Sequence, residues 1–499
     1  MEISKVGIAA RDAEIKGAHF LADAIKSTIG PFGLNADIQN GEKDTNDGYL
    51  ISKALAPTLK DEFERRGALR LHKISSITND EVGDATSTSE VIGDAILTEL
   101  VKYLPKENIY KAKKSPAELK EMLFKSRDTV FEQLDIQMTP VTSKESLINS
   151  ALVSVEDQEL AEMIGGTQWE LGEDGIILAE EHNETFSTIE RMKGIKIDNG
   201  LGTAIVMNNL EKQSLELKDV QVILTNHTLS SLEPLSNVFD QLVKSKKTNV
   251  VIIARAFSSE CIKICLENHK TNFFLYPINA PYTNQREVMN DLAAVLGATY
   301  FDVEEKSLED MQLSDVGYAS KVIARRYDAI IAGQDDAETE IRTNARINKL
   351  QQELQGETSE FAKKALEARI AQLMNGVALL KVGAISPTER TRIKDKVDDA
   401  VMATRLALKG GTVPGAGIAF KTIADALPDG DLLKKPLTVI YDQIISSAPE
   451  DFIVPEWVRD PILVLKSALK NACQGALTLA KTNIVITTKD KKEKKEDEE

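Results

Sequence analysis

Gly83-Asp84-Ala85-Thr86-Ser87-Thr88-Ser89 decides how this chain is read, because it stands immediately before the apolar run Val91, Ile92, Ala95, Ile96 and Leu100. A small, hydroxyl-rich turn that opens a helix presents free backbone N–H groups and the positive end of the helix dipole. That is a natural seat for phosphate. Asp84 supplies what a phosphate-bound Mg²⁺ needs, since this ion takes oxygen ligands and is often held by one carboxylate plus substrate phosphates. Taken alone, the run is equally an ordinary N-cap, for which Asp, Ser and Thr are preferred. The segments around it decide between the two.

Upstream, Leu21-Ala22-Asp23-Ala24-Ile25-Lys26-Ser27-Thr28-Ile29-Gly30-Pro31-Phe32-Gly33 reads as an amphipathic helix (Phe20, Leu21, Ala24, Ile25) that ends at a Gly-Pro-x-Gly turn. Glycine there permits positive φ and lets a ligand approach the backbone. Thr45-Asn46-Asp47-Gly48 is a second tight turn carrying an acid. Far downstream come Val397-Asp398-Asp399-Ala400-Val401-Met402-Ala403-Thr404-Arg405, then Gly410-Gly411-Thr412-Val413-Pro414-Gly415-Ala416-Gly417, and finally Asp460-Pro461.

In content and order these segments resemble the group I chaperonins, the GroEL-like family of bacteria. That family's runs read Thr-Leu-Gly-Pro-Lys-Gly, Thr-Lys-Asp-Gly, Gly-Asp-Gly-Thr-Thr-Thr, Glu-Asp-Ala-x-x-Ala-Thr-Arg, Ala-Gly-Gly-Gly and Leu-Asp-Pro. The resemblance runs from residue 10 to residue 485 with one substantial gap. It implies a divergent, specialised member, such as one from a virus or a reduced genome.

Periodicity fills in the elements. Residues 10–135 read as mostly helical, with a stripe of Leu69, Leu71, Ile74 and Ile77, and Pro140 marks a break. Short helices over 147–153 and 160–164 precede a strand-like run over 175–179. Residues 220–224 and 249–254 read as buried strands separated by a helix, the pattern of a parallel sheet. Residues 338–374 form a helical hairpin, lined by Ile347, Leu350 and Leu354 on one arm and Leu366, Ile370 and Leu373 on the other. Gly356 stands at its turn, with Thr358, Ser359 and Glu360 as capping residues.

The resemblance implies a multidomain α and α/β subunit. A mainly helical equatorial ATPase domain comes from residues 1–139 and 410–488, and a small intermediate domain from 140–193 and 377–409. An α/β apical domain spans 194–376, and 489–499 is a disordered charged tail. Hinges are expected near Pro140 with Gly410–Gly411, and near Gly194 with Gly376.

It also implies roles. Thr28 and Gly30 contact the phosphates of ATP, Asp84 holds Mg²⁺, and Ala85, Thr86, Ser87 and Thr88 wrap the β- and γ-phosphates. Gly415 lies against the sugar or base and Asp460 bonds the ribose. Asp399 orients or deprotonates the attacking water, with Asp47 assisting. Phosphoryl transfer needs charge neutralisation and an aligned nucleophile, and these residue types supply both. Read without the family, Asp399 is a solvated helix charge among Lys394, Lys396 and Asp398, and Asn46-Asp47-Gly48 a plain turn. Leu235 and Phe239 on one apical helix, with Ile262 and Leu266 on the next, are the candidates for gripping non-native polypeptides. The implied assembly is a ring of seven identical subunits, single or double.

The departures matter as well. The family's Lys in Thr-Lys-Asp-Gly is Asn46, its Lys in Gly-Pro-Lys-Gly is Phe32, and its second glycine in Gly-Asp-Gly is Ala85, which restricts positive φ. The chain is shorter than the family pattern between Ser447 and Asp460, where an Asn-Ala-Ala segment contacts adenine. Lys263 and Glu267 make the apical groove more polar, which puts docking of a co-chaperonin lid in doubt. The lost lysine and shortened segment leave room for a second reading, a nucleotide-binding scaffold without productive cycling. An unrelated phosphotransferase is disfavoured, since neither a Gly-x-x-x-x-Gly-Lys-Ser/Thr loop nor a Gly-x-Gly-x-x-Gly after a strand occurs.

Bulk properties agree. The chain has 499 residues, too many for one core, and is 42% hydrophobic, 28% charged and 5% aromatic, as ordinary globular proteins are. A net charge of -17 argues against nucleic-acid binding, which demands clustered Lys and Arg. Three cysteines (Cys261, Cys265, Cys473) complete no metal site and suit a reducing cytoplasm. The N-terminus shows no apolar signal core and no run of 18 apolar residues occurs, so a cytoplasmic protein without membrane segments is expected.

Overall fold

The computed structural model describes residues 2–38, 43–104, 113–173, 175–209, 213–268 and 272–488. The expected tail over 489–499 lies outside them. The chain divides into two compact units. The first comprises Met1–Glu173, Ala179–Thr188 and Lys381–Glu499, and the second Asp174–Leu178 and Ile189–Leu380.

The first unit is mainly helical. Helices Ile8–Lys26, Glu62–Val82, Thr86–Val101, Pro116–Gln137 and Ile462–Ala480 enclose a core that includes Leu21, Leu71, Ile92, Leu123, Phe420 and Leu469. Helices Ile8–Lys26 and Glu62–Val82 cross with their backbones touching. A Cβ on Gly17 would lie 1.8 Å from the Glu64 carbonyl oxygen, and one on Gly67 equally close to that of Glu14. Leu71 and Ile74 are buried as expected, but Phe20, Leu69 and Ile77 are exposed. The inward stripe of the second helix instead continues through Ser75 and Thr78, so helical phase and not hydropathy alone picks the buried face.

Both chain ends belong to this unit, since strand Glu2–Val6 pairs antiparallel with Ile484–Thr488. A 24-residue helix, Pro387–Gly410, is capped by Ser386 with Pro387 in its first turn, and packs on helices Lys144–Val155 and Gln158–Leu171. Thr139 and Thr412 exchange backbone hydrogen bonds, which brings the chain before Pro140 beside Gly410–Gly411.

The second unit is α/β. Strands run in the order Phe274–Asn279, Asn249–Ala254, Leu215–Thr225, Gly317–Ala324, Ala329–Ala332, Gly194–Ile197, and Tyr300–Phe301 pairs with Leu215–Thr225. The expected parallel pair is present, with helix Ser236–Lys244 between its strands. The sheet as a whole is mixed, because Gly317–Ala324 and the strands beyond it pair antiparallel. The helical hairpin appears as Ala337–Gly356 and Glu360–Asn375, the second arm capped by Ser359 accepting the Ala362 N–H. Its Ile347, Leu350, Ile370 and Leu373 enter the core. No helix among the described residues is long and apolar enough to cross a membrane.

Candidate functional site

Turns from distant parts of the first unit meet at the start of helix Thr86–Val101. Helix Glu62–Val82 ends on Gly83 at φ 66°, and Ala85 follows at φ 57°, ψ 30°. Two left-handed residues thus bracket Asp84, whose carboxylate accepts the Ala85 N–H. The expected restriction on Ala85 does not prevent positive φ. The alanine adopts it, at a cost of roughly 1 kcal/mol relative to an ordinary backbone. No side chain caps the helix that follows, so the N–H groups of Thr86, Ser87 and Thr88 remain open to an anionic ligand.

Asp47 is the N-cap of helix Gly48–Leu55 and accepts the Tyr49 N–H. Its Oδ1 also accepts the Thr86 hydroxyl at 3.0 Å. A Cβ on Gly48 would lie 2.3 Å from Ser87 Oγ, so only glycine lets the two turns close on each other. On the other side, Gly83 abuts Met402 of helix Pro387–Gly410, the helix that carries Asp399. Lys394 pairs with Asp398 and Lys396 with Glu156, so both neighbouring cations are engaged away from Asp399.

Asp460 sits on strand Arg459–Pro461, opposite Val413. A Cβ on Gly415 would come within 2.9 Å of the Asp460 carboxylate, and the Gly415 N–H donates to Val458 O. Gly30 has φ 82° and rests on Ile444. Thr28 is buried with its hydroxyl donating to Ile25 O, which leaves only lone pairs for a further partner.

Electrostatics bind these acids into one system. Burial raises the proton affinity of Asp84, and the charge of Asp47 raises it further. Asp399 is pushed well above the usual carboxylate range, first by burial, then by Asp47 and Asp84. Asp460 is lifted to about 7 by burial and by Asp84, against the Ala416 N–H and Arg459. Crowded acids that raise one another's pKa are in the condition that a divalent cation relieves. The residues therefore fit Mg²⁺ beside Asp84, with phosphate oxygens on the open N–H groups. Among the described residues no group of three or more His, Cys, Asp or Glu side chains is arranged to hold a metal by itself.

The apical candidates in the second unit separate. Leu235 is fully buried at the end of the short turn Glu233–Leu235, before helix Ser236–Lys244 begins. That corrects its reading as a polypeptide contact, because a residue with no exposed surface grips nothing. Phe239 is half-buried and packs edge-on against Phe273, with 5.5 Å between the ring centroids. Ile262 and Leu266 are half-buried on helix Ser259–Asn268, between the fully buried Cys261 and Cys265 and the exposed Lys263 and Glu267.

One buried acid behind the site escaped the sequence reading. Glu90, one helical turn after Thr86, is fully buried, and burial holds its carboxyl well above the usual range. The available signal was an acid lying in phase with the apolar stripe.

The model of the TCP-1/cpn60 chaperonin family matches residues 21–431. Among solved structures, the chaperonin gp146 of bacteriophage EL 2 (Pseudomonas aeruginosa), crystallised in the presence of ATP-BeFx, is similar throughout. In crystal form II it shows 18% identity and a TM-score of 0.68, over 98% of this chain and 100% of that one. In crystal form I the identity is 19% and the TM-score 0.61, over 98% and 99%.

Proposed function

The chain belongs to the TCP-1/cpn60 chaperonin family, and we propose that it is an ATP-dependent, ring-forming chaperone that binds non-native polypeptides and assists their folding. The observation that carries this reading is the convergence of Asp47, Asp84, Asp399 and Asp460 around an uncapped helix N-terminus. The related phage chaperonin was crystallised with a nucleotide–beryllofluoride mixture, which supports a nucleotide as the ligand here.

Thr86, Ser87 and Thr88 offer N–H donors and hydroxyls to the β- and γ-phosphates, and Ala85 and Gly30 shape the turns beside them. Thr28 contributes its backbone and lone pairs. Asp84 holds Mg²⁺, which when bound neutralises phosphate charge. Asp460 accepts from the ribose, and Gly415 leaves room for the sugar or base. Asp399 takes up the proton of the attacking water or orients it, and Asp47 faces the same space from the second turn. The absence of a lysine at Asn46 removes one phosphate cation and predicts slow turnover.

We assign the equatorial role to residues 1–139 and 410–488, the intermediate to 140–193 and 377–409, and the apical to 194–376. Glycine at Gly194, Gly376, Gly410 and Gly411 suits hinges between them. Phe239, Ile262 and Leu266 remain the polypeptide contacts of the proposal. A ring of seven identical subunits in the cytoplasm completes it.

Steady-state ATP hydrolysis by the purified chain, with native mass of the assembly, tests the reading. Mg²⁺-dependent turnover by a ring supports it. A ring that binds ATP and never hydrolyses it makes the protein a nucleotide-binding scaffold instead.

A further inference from the structure

Behind the Asp47 turn lies a buried polar ladder that no step above uses. Glu90 is 0% exposed, and its Oε2 has no hydrogen-bond partner. Its Oε1 stands 2.6 Å from Ser75 Oγ. Ser75 Oγ is in turn 2.9 Å from the His72 carbonyl and 3.4 Å from Ser52 Oγ. Ser52 Oγ reaches the Tyr49 carbonyl at 3.1 Å and His72 Nδ1 at 2.7 Å.

The protons can be counted. A serine hydroxyl has one to donate, and a carbonyl only accepts. If Ser75 donates to His72 O, the contact with Glu90 needs its proton from Glu90. If Ser52 donates to Tyr49 O, His72 Nδ1 must carry the proton that it gives to Ser52. A proton on Glu90 therefore supplies its contact with Ser75, and the 3.4 Å approach of the two serine oxygens is the one contact left without a proton. Oε2 is unpaired in either state, so an ionised Glu90 would place an uncompensated negative charge in the interior, which costs far more than a neutral carbonyl oxygen there.

Thr86 and Glu90 lie one turn apart on one helix face, so the ladder sits beneath the Thr86–Asp47 bond. We propose that Glu90 is a positioning residue: as a neutral hydrogen-bond donor it locks helices Gly48–Leu55, Glu62–Val82 and Thr86–Val101 together and holds Asp47 at the nucleotide site. This rests on the reading of Asp47 given above.

Among the described residues no cation acts on Glu90. Asp47 is the charge that acts on it, and it is of like sign. His72 is kept neutral, its pKa lowered to about 4 by burial and by Lys53 and Lys73. On the other helices packed against Thr86–Val101, His19 and Lys26 pair with Asp94, and Lys470 pairs with Glu81. Lys466 pairs with Asp135, and Asp442 accepts from Thr438.

Infrared difference spectra of the full-length protein against Glu90→Gln, at neutral pH, test the protonation state without any turnover. The expected difference is a carboxylic-acid C=O band lost in the variant; a lost carboxylate band overturns the proposal. Kinetics test the positioning. Glu90→Gln keeps a donor and should hold kcat within about twofold, whereas Glu90→Leu should lose about tenfold in kcat with KM for ATP little changed. Should Glu90→Leu not fold, Ser75→Ala, which removes the acceptor of the Glu90 proton, takes its place with the same expectation. Variants that all match the parent overturn the positioning role. A parent without ATPase activity counts against the reading of the site, while the infrared result still decides the state of Glu90.

Discussion

The Thr86 hydroxyl donates to Asp47 Oδ1 across 3.0 Å, tying the first residue of one helix to the N-cap of another. Asp47 caps helix Gly48–Leu55, and in the proposed function it also presents charge to the nucleotide. The two separate by substitution. Asp47→Asn keeps a good cap and removes the charge that presses on Asp84 and Asp399, so ATPase activity should fall with the melting temperature unchanged or raised. Asp47→Ala should in addition cost about 1 kcal/mol of stability. Thermal melts and ATPase rates of the two variants check this.

Asp399 is an acid pushed well up by burial and by Asp47 and Asp84. A group in that state destabilises the nucleotide-free protein, and in the proposed function it serves the reaction. Asp399→Ala should bind ATP, lose at least about tenfold in hydrolysis rate, and melt higher than the parent without nucleotide. Calorimetric binding, single-turnover hydrolysis and melting curves give the three readouts. A variant that hydrolyses ATP at the parent's rate removes Asp399 from the mechanism.

Asp460 titrates near 7 in the folded chain against an ordinary 3.8. Between those values the folded state holds a proton that the unfolded state has released, so stability falls as pH rises through the window and levels off above about 7. Nucleotide affinity should move oppositely, since ionised Asp460 is the better acceptor of ribose hydroxyls. Asp460→Asn should flatten both slopes. Melting temperatures from pH 4 to 8, with calorimetric titrations of ATP, measure them.

The parts legible in the sequence were those written in local chemistry. Gly83, Gly30 and Gly48 announce tight turns wherever they stand, and the hairpin arms around Ile347 and Ile370 repeat at helical spacing. What the sequence concealed depends on partners far away along the chain. Leu235 and Phe239 share a short apolar stretch, and only the packing of the second unit buries the first completely while leaving the second half-covered. The antiparallel half of the sheet follows from where Gly317–Ala324 returns beside Leu215–Thr225, which no strand propensity encodes. Glu90 is in phase with the buried face of its helix, but its partner Ser75 and, beyond it, Ser52 come from two other helices.

Ala85 offers the sharpest test of how the phosphate turn is set. At φ 57° its methyl group is held where glycine rests without strain. Ala85→Gly should therefore stabilise the protein by up to about 1 kcal/mol, the relief of left-handed strain being partly offset by the freer unfolded chain. The same change loosens the turn, so affinity for Mg²⁺·ATP should not rise in proportion. Gly83→Ala should act in the opposite sense. Its Cβ adds left-handed strain and meets Met402 Cγ at 2.7 Å, which pushes on the helix that carries Asp399. Chemical denaturation and ATPase assays of the pair measure both effects. A stabilised Gly83→Ala protein with parental activity overturns this account of the turn.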